Sequence, residues 1–238
     1  MKLDILVFAV HPDDAELGCS GTILKHLALG NKVGIVDFTR GELGTRGSAE
    51  LRDIEAADSA NILGLTIREN LNLRDGFFKN DEAHQLEVIK MIRKYQPEIV
   101  LCNALSDRHP DHGRASELVN DAAFLAGLPK VATEIDGATQ EAFRPRLILQ
   151  YIQDKYIQPD IIVDITPFME TKLASIRAFK TQFYNPEVDG TETYISSPEF
   201  FETVIARARE FGKSIGATYG EGFTSRKLLG VDNLFNLR

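Results

Sequence analysis

Cysteine is scarce in this chain: Cys19 and Cys102 are the two among 238 residues. That is too few for a disulfide framework, and the expectation is a reducing, cytoplasmic location. Cys102 closes an apolar run and Cys19 falls inside a helix-like stretch, so both read as reduced core residues, each close in sequence to a candidate site. Long hydrophobic runs are missing too. No segment approaches the roughly 20 apolar residues of a membrane span, and the opening MKLDILVFAV is too short an apolar run for a secretory signal with its cleavage site. Positive charge is in deficit, with 27 Lys and Arg against 35 Asp and Glu, a formal net charge of −8. No nucleic-acid or anionic-membrane partner is expected, since either needs a basic face; a small anion held by one or two arginines is compatible with this balance. The first strand-to-helix junction lacks Gly-x-Gly-x-x-Gly, and Gly41, Gly44 and Gly47 follow the second strand at the wrong spacing for a phosphate loop. They read as backbone flexibility at the rim of a site. There is no internal repeat, low-complexity tract or clear linker.

What is present describes an ordinary globular chain, 43% hydrophobic and 26% charged. The length suits one domain, 1–238, with a core over about 1–165 and C-terminal helices and loops over 166–238. Strand-like and helix-like segments alternate. Ile5 to Val10 reads as a buried strand and Ala15 to Leu29 as a helix closed by Gly30. Val33 to Phe38 is the next strand, then a helix from Glu50 to Leu63 ended by Gly64, and a third strand over Ile67 to Leu73. Glu82 to Tyr95 is helical and Pro97 blocks its continuation. Ile99 to Cys102 is a strand and Arg114 to Leu125 a helix. Short strands follow at Leu147 to Tyr151 and Ile161 to Val163, with helices over Phe168 to Phe179 and Pro198 to Phe211. The glycine-rich tail after Gly212 reads as loop, and Asn185 to Ser197, with a turn signal at Asp189-Gly190, as a mobile loop. This rhythm predicts an α/β, Rossmann-like fold: a mostly parallel sheet with helices on both faces.

Two clusters sit at strand ends, His11-Pro12-Asp13-Asp14 and His109-Pro110-Asp111-His112. They hold three of the five histidines, and in open parallel sheets ligands bind at the carboxyl ends of strands. Imidazole with carboxylate suits a catalytic zinc, which takes about three protein ligands and keeps a position for water; iron(II) accepts the same set. The clusters supply two histidines and an aspartate for a metal, a spare aspartate as base, and a spare histidine with its own aspartate, His109 with Asp111, whose imidazole that carboxylate would orient or keep protonated. Spacing leaves open which of Asp13 and Asp14 is ligand and which is base. Taken singly, a His-Pro at a strand end is a turn, and Asp14 or Asp111 is a helix cap; two such clusters at equivalent positions favour the metal site. His26 and His84 read as ordinary histidines. Arg40, Arg46 and Arg52 bracket the glycine loop, where a guanidinium fork suits a carboxylate or sugar hydroxyls. Arg52, among Glu50, Asp53 and Glu55, reads equally well as part of a solvated helix turn, and Glu42 is equally open.

At these residues the chain resembles the zinc-dependent deacetylases of the LmbE-like family, also called PIG-L. The motifs are His11-Pro12-Asp13-Asp14 with Glu16, Gly18-Cys19-Ser20-Gly21-Thr22, and His109-Pro110-Asp111-His112. Ser20 stands where the family often has glycine. Tyr194-Ile195-Ser196-Ser197-Pro198-Glu199 and Tyr219-Gly220-Glu221-Gly222-Phe223 resemble the branch that deacetylates N-acetylglucosaminyl-malate in bacillithiol synthesis. The resemblance implies His11, Asp14 and His112 as zinc ligands and Asp13 as general base. It implies His109 as oxyanion stabiliser oriented by Asp111, with Arg52 and Tyr194 binding substrate. It also implies a homo-oligomer, a hexamer in relatives. The expected activity is hydrolysis of an N-acetyl group from an N-acetylglucosamine derivative. Rival readings are another N-acetyl sugar (chitobiose, free N-acetylglucosamine, a mycothiol-type precursor) or a metal- or sugar-binding module without turnover. The spare Asp13 argues against the module, because a structural zinc site is closed and needs no base.

Overall fold

In a computed structural model of the chain, residues 1–187 and 190–237 are described; Asp189 of the expected turn lies outside them. The chain order is β1 (Ile5–Ala9), α1 (Asp14–Ala28), β2 (Val33–Asp37), α2 (Ala49–Leu63), β3 (Ile67–Asn70), α3 (Glu82–Tyr95), β4 (Ile99–Cys102) and α4 (Pro110–Ala126). There follow β5 (Glu134–Ile135), β6 (Ala138–Thr139), β7 (Leu147–Tyr151), β8 (Ile161–Asp164), α5 (Met169–Arg177), α6 (Pro198–Ser214) and β9 (Gly220–Thr224). Seven strands form one sheet in the order β3-β2-β1-β4-β7-β9-β8. Pairing is parallel from β3 through β7, and β9 runs antiparallel to both β7 and β8. This is the expected mostly parallel sheet with helices around it. No helix among the described residues is long and apolar enough to cross a membrane.

The period-2 geometry of β1 builds both layers of the core. Leu6, Phe8 and Val10 pack with residues of α3 and α4 on one face, whereas Ile5, Val7 and Ala9 pack with Ala15, Cys19 and Ile23 of α1 on the other. Every residue of β1 and β2 is buried, which explains their continuous apolar runs. Cys19 and Cys102 are free and buried in these layers, and burial pushes the Cys102 thiol up to about 12. The chain leaves β1 toward β2 on one side, and β4 lies on the other. The loops after β1 and β4, which carry the two histidine clusters, therefore open onto the same crevice, the switch point of the sheet.

Several boundaries differ from the sequence reading. The tail read as loop contains β9, which lies between β7 and β8. Its glycines obscured the strand pattern, and they are there for packing: a Cβ on Gly222 would meet the Phe211 ring of α6 at 2.8 Å. Helix α4 begins at Pro110, four residues earlier than expected, because His109 accepts the Asp111 N–H through Nδ1 and Pro110 occupies the first turn. The expected helix from Phe168 divides into a 3-10 turn over Thr166–Phe168 and α5. A short hairpin, β5 and β6, was not anticipated; it turns on Asp136 and Gly137, both at positive φ. Within the segment read as loop, Tyr194–Ser196 form a 3-10 turn with a capping box between Thr193 and Ser196.

Helix α1 carries a buried ion pair along its flank. Lys172 of α5 donates to the Glu16 and Leu17 carbonyls at 2.8 Å and pairs with Glu221 of β9 at 2.8 Å. Glu221 accepts the Gly21 and Thr22 amides at 2.9 and 2.7 Å. In a regular helix the Leu17 carbonyl and Gly21 amide pair with each other; here each also has a partner from the pair. Gly18 lets the helix lie directly on the Tyr151 ring, which a Cβ would overlap. We expect Gly18→Ala to cost about 1–3 kcal/mol by overpacking. That would appear in calorimetry as a midpoint lowered by roughly 2–4 °C for each kcal/mol. An unchanged midpoint would mean that the ring simply gives way.

Candidate active site

Both clusters are brought to the crevice, and the rings of His11, His109 and His112 lie together there. Their centroids stand 4.8 Å apart for His11 and His109, 5.4 Å for His109 and His112, and 5.8 Å for His11 and His112. One ring nitrogen from each lies within 4.8 Å of the others. Asp14, the first residue of α1, stands between two of them, Oδ2 at 3.5 Å from His11 Nδ1 and Oδ1 at 3.2 Å from His112 Nε2. Its carboxylate accepts from Asn103 Nδ2 at 3.1 Å, Gln153 Nε2 at 2.7 Å and the His11 amide at 3.0 Å.

Two carboxylates that the sequence reading passed over complete the histidine environment. Asp75 Oδ1 lies 2.9 Å from His11 Nε2, and Asp107 Oδ2 lies 2.8 Å from His112 Nδ1. Each imidazole thus has its far nitrogen against a carboxylate and its near nitrogen toward Asp14. Carboxylate-backed histidines converging with a further carboxylate are the surroundings of a divalent cation, and the donor set fits zinc or iron(II). Burial favours neutral imidazoles, but the facing aspartates outweigh it, raising His11 to about 9 and His112 to about 10. Burial likewise opposes ionisation of Asp14, yet His112 and His11 hold its carboxyl well below the usual range. The negative field that draws protons to these rings is the field that attracts a metal ion. The legible signal for Asp75 and Asp107 was their place in loops following strands, and for Asp107 its proximity to His109.

Asp13 is held differently. Its backbone sits at φ 149°, in a region that L-residues rarely adopt and that costs of order 1–3 kcal/mol. Arg52 of α2 fixes it there: Nη2 donates to Asp13 Oδ2 at 2.8 Å and to the Pro12 carbonyl at 2.5 Å, while Nη1 donates to Gln182 Oε1 at 2.9 Å. Arg52 is 4% exposed, so the solvated-turn reading fails. Its acidic neighbours are engaged elsewhere, Asp53 and Glu50 with Arg40 and Glu55 with Thr181. Burial pushes Asp13 up, to about 6, against the pull of the Arg52 guanidinium.

The hydrogen bond joining His109 to Asp111 runs from the Asp111 amide to His109 Nδ1, at 3.3 Å. The Asp111 carboxylate instead accepts from the Gly76 amide at 2.9 Å and Arg114 at 2.6 Å. Burial, then His11 and His112, lower His109 from the ordinary histidine value. That pattern gives a neutral ring with its proton on Nε2; of the two expectations for Asp111, to orient the ring or to keep it protonated, it fits orientation, made through the Asp111 amide. Glu42 accepts the Asp75 and Arg40 amides, and Arg46 donates to the Thr181 carbonyl, so these two shape the loop. Gly41, at φ +64°, lets that loop close onto the Arg52 guanidinium. Tyr194 is 54% exposed, donates to Asp154 Oδ1 at 3.0 Å and carries the Arg108 guanidinium 4.6 Å over its ring. It borders the cleft of about 320 Å³ that Asp13, Asp14, Arg52 and the three histidines line. His26 and His84 lie outside, bonded to Asn31 and Asp81.

Residues 6–123 match the family described as PIG-L, GlcNAc-PI de-N-acetylase. The chain is 36% identical to the conserved protein TT1542 from Thermus thermophilus, with a TM-score of 0.86 over 97% of this chain and 98% of that one. It is 30% identical to N,N'-diacetylchitobiose deacetylase from Pyrococcus horikoshii, with a TM-score of 0.78 over 92% and 82% of the two chains. The chain belongs to the PIG-L family. A further relative, the diacetylchitobiose deacetylase of Thermococcus kodakarensis, is 29% identical over 228 residues, 92% of this chain and 81% of that protein. Membership makes the protein an amide hydrolase, an N-deacetylase.

For such an enzyme the Arg52–Asp13 contact predicts a graded response. Arg52→Met leaves Asp13 buried without its cation, and we expect turnover to fall by roughly 10²-fold through misplacement of that carboxylate. Arg52→Lys should recover part of the loss, since one ammonium reproduces the charge but not the fork. Steady-state kinetics on an N-acetyl substrate check this, and equal activity of the three proteins would remove Arg52 from the site.

Proposed function

We propose that the protein hydrolyses the N-acetyl group of an N-acetylglucosamine derivative, with N-acetylglucosaminyl-malate of bacillithiol synthesis as its substrate. His11, Asp14 and His112 would hold a zinc ion, or iron(II). The observation that carries the reading is the second aspartate: Asp13 faces the same cleft as the histidine cluster, ionically fixed by Arg52 and left out of the Asp14 contacts. A closed structural site has no use for such a group. The related diacetylchitobiose deacetylases support an N-acetyl sugar as substrate class, and the motifs around Tyr194 and Tyr219 support the malate conjugate.

The metal, when bound, would supply Lewis acidity and lower the pKa of water toward neutrality. Asp13 accepts the proton of the attacking water and returns it to the departing amine nitrogen. His109, whose Nδ1 is occupied by the Asp111 amide, directs its Nε2–H at the carbonyl oxygen as negative charge develops there. Asp111 acts through its backbone amide and by tying the Gly76 turn to α4. Arg52 keeps Asp13 in place; Tyr194, at the cleft mouth beside Arg108, closes over the bound sugar. Oligomeric assembly is part of the proposal and is read directly by sedimentation.

Asp13→Asn is expected to retain zinc in elemental analysis while losing roughly 10²–10⁴-fold in turnover; a fully active variant sinks the base assignment. His11→Ala and His112→Ala should lose the metal, and a chelator should abolish acetate release until zinc or iron(II) is restored. Acetate release from the malate conjugate, free N-acetylglucosamine and diacetylchitobiose, measured side by side, tests the substrate. The malate conjugate should give the highest kcat/KM, and preference for either neutral sugar would reassign the branch.

A further inference from the structure

Adjoining the cleft is a second chamber of about 220 Å³, which shares His109, His112, Gln153 and Tyr194 with it. One wall is α6, where Phe200, Val204, Ala208 and Phe211 recur at the spacing of a single helix face. Arg207 interrupts that apolar face. A long cationic side chain ordinarily carries its head to water, but this guanidinium packs beside the rings of Tyr156 and Phe211, 5.5 and 5.7 Å from their centroids. Its Nη2 donates to the Asp154 carbonyl at 3.1 Å, and its ion pair with Glu210 is long, 3.6 Å, to a carboxylate that is 57% exposed. Nη1 is buried with no hydrogen-bond partner.

Gln153, just after β7, presents a complementary group. Its Nε2 is committed to Asp14, and its Oε1 is buried without a partner. A buried donor or acceptor left unpaired costs about 1–3 kcal/mol, and two of them line one chamber. The inner end is electrically closed by Lys172 with Glu221, and Arg108 at the rim stands 3.5 Å from Asp154. The unfilled demands are a cationic donor asking for an anionic acceptor and a neutral acceptor asking for a hydroxyl or N–H.

We propose that this chamber is the subsite for a carboxylate-bearing, hydroxylated aglycone of the sugar, with Arg207 as its specificity-determining residue. The proposal rests on the N-acetyl sugar reading, which puts the sugar in the adjoining cleft. The carboxylate bonds Nη1, the hydroxyl donates to Gln153 Oε1, and the carbon skeleton lies against Val204 and Phe211. A neutral sugar leaves Nη1 unsatisfied and gains nothing from the chamber.

The test uses the full chain and two measurements. Free L-malate, titrated calorimetrically, should bind the parent protein, and Arg207→Gln should weaken it roughly tenfold or more, the effect of one charge-assisted hydrogen bond. In kinetics Arg207→Gln should raise KM for N-acetylglucosaminyl-malate by a similar factor. Its kcat, and KM for free N-acetylglucosamine, should stay within about twofold. Arg207→Lys should fall between parent and Gln, and Thr203→Trp, a change at an exposed position on the chamber wall, should also raise KM for the anionic substrate alone. No malate binding by the parent, or an equal rise in KM for both substrates, overturns the chamber even if neutral sugars are deacetylated. Malate binding that depends on Arg207 in a protein without sugar deacetylase activity keeps the chamber and rejects the N-acetyl sugar reading.

Discussion

The Asp14 carboxylate stands where three strand ends converge. It receives the His11 amide from the loop after β1, Asn103 from the loop after β4 and Gln153 from the end of β7, and it faces two imidazoles whose outer nitrogens rest on Asp75 and Asp107. Burying one anion among so many donors fixes the relative height of those loops, because displacing any donor leaves a buried carboxylate short of a partner. The parallel pairing of β1 with β4 and of β4 with β7 sets the distances coarsely. The shared carboxylate sets them finely.

Adjacent aspartates then receive opposite treatment from one helix start. Asp14 is within the first turn, its side chain directed among histidines, whereas Asp13 is forced by its unusual backbone toward α2 and meets Arg52. Burial opposes charge on both, and the surroundings decide the outcome: two imidazoles keep Asp14 firmly ionised, while a single guanidinium only partly offsets burial at Asp13. Two identical residues side by side are thereby separated into an anion held among imidazoles and a carboxyl that burial raises toward neutrality, the separation that the proposed general base would use.

The alternating strands and helices were legible because β1, β2 and β4 are continuous apolar runs and because Gly64 and Pro97 punctuate the helices. The first histidine cluster could be placed by its position after a strand. The second could be placed too, although its role in starting α4 required seeing His109 accept a backbone amide. Less visible was β9, whose glycines answer the Phe211 ring from another part of the chain. Asp75 and Asp107 were hidden for a similar reason: their function lies in a contact across loops, and a single aspartate in a loop has no periodicity to betray it. Arg52 stood out by residue type, but its acidic neighbours in sequence left its surroundings open, and Arg40 and Thr181 engage those neighbours instead.

The ion pair flanking α1 also has a temporal side. Glu221 belongs to β9, and the amides it holds lie about two turns beyond Asp14 in the first helix. During synthesis Gly21 of α1 emerges 200 residues ahead of Glu221, so the helix that begins at Asp14 receives this fastening long after its own residues are made. Until then the Gly21 and Thr22 amides and the ammonium of Lys172 await a carboxylate that has not been translated. The flank of the helix that begins at Asp14 is therefore closed late, by a strand made long after the helix itself.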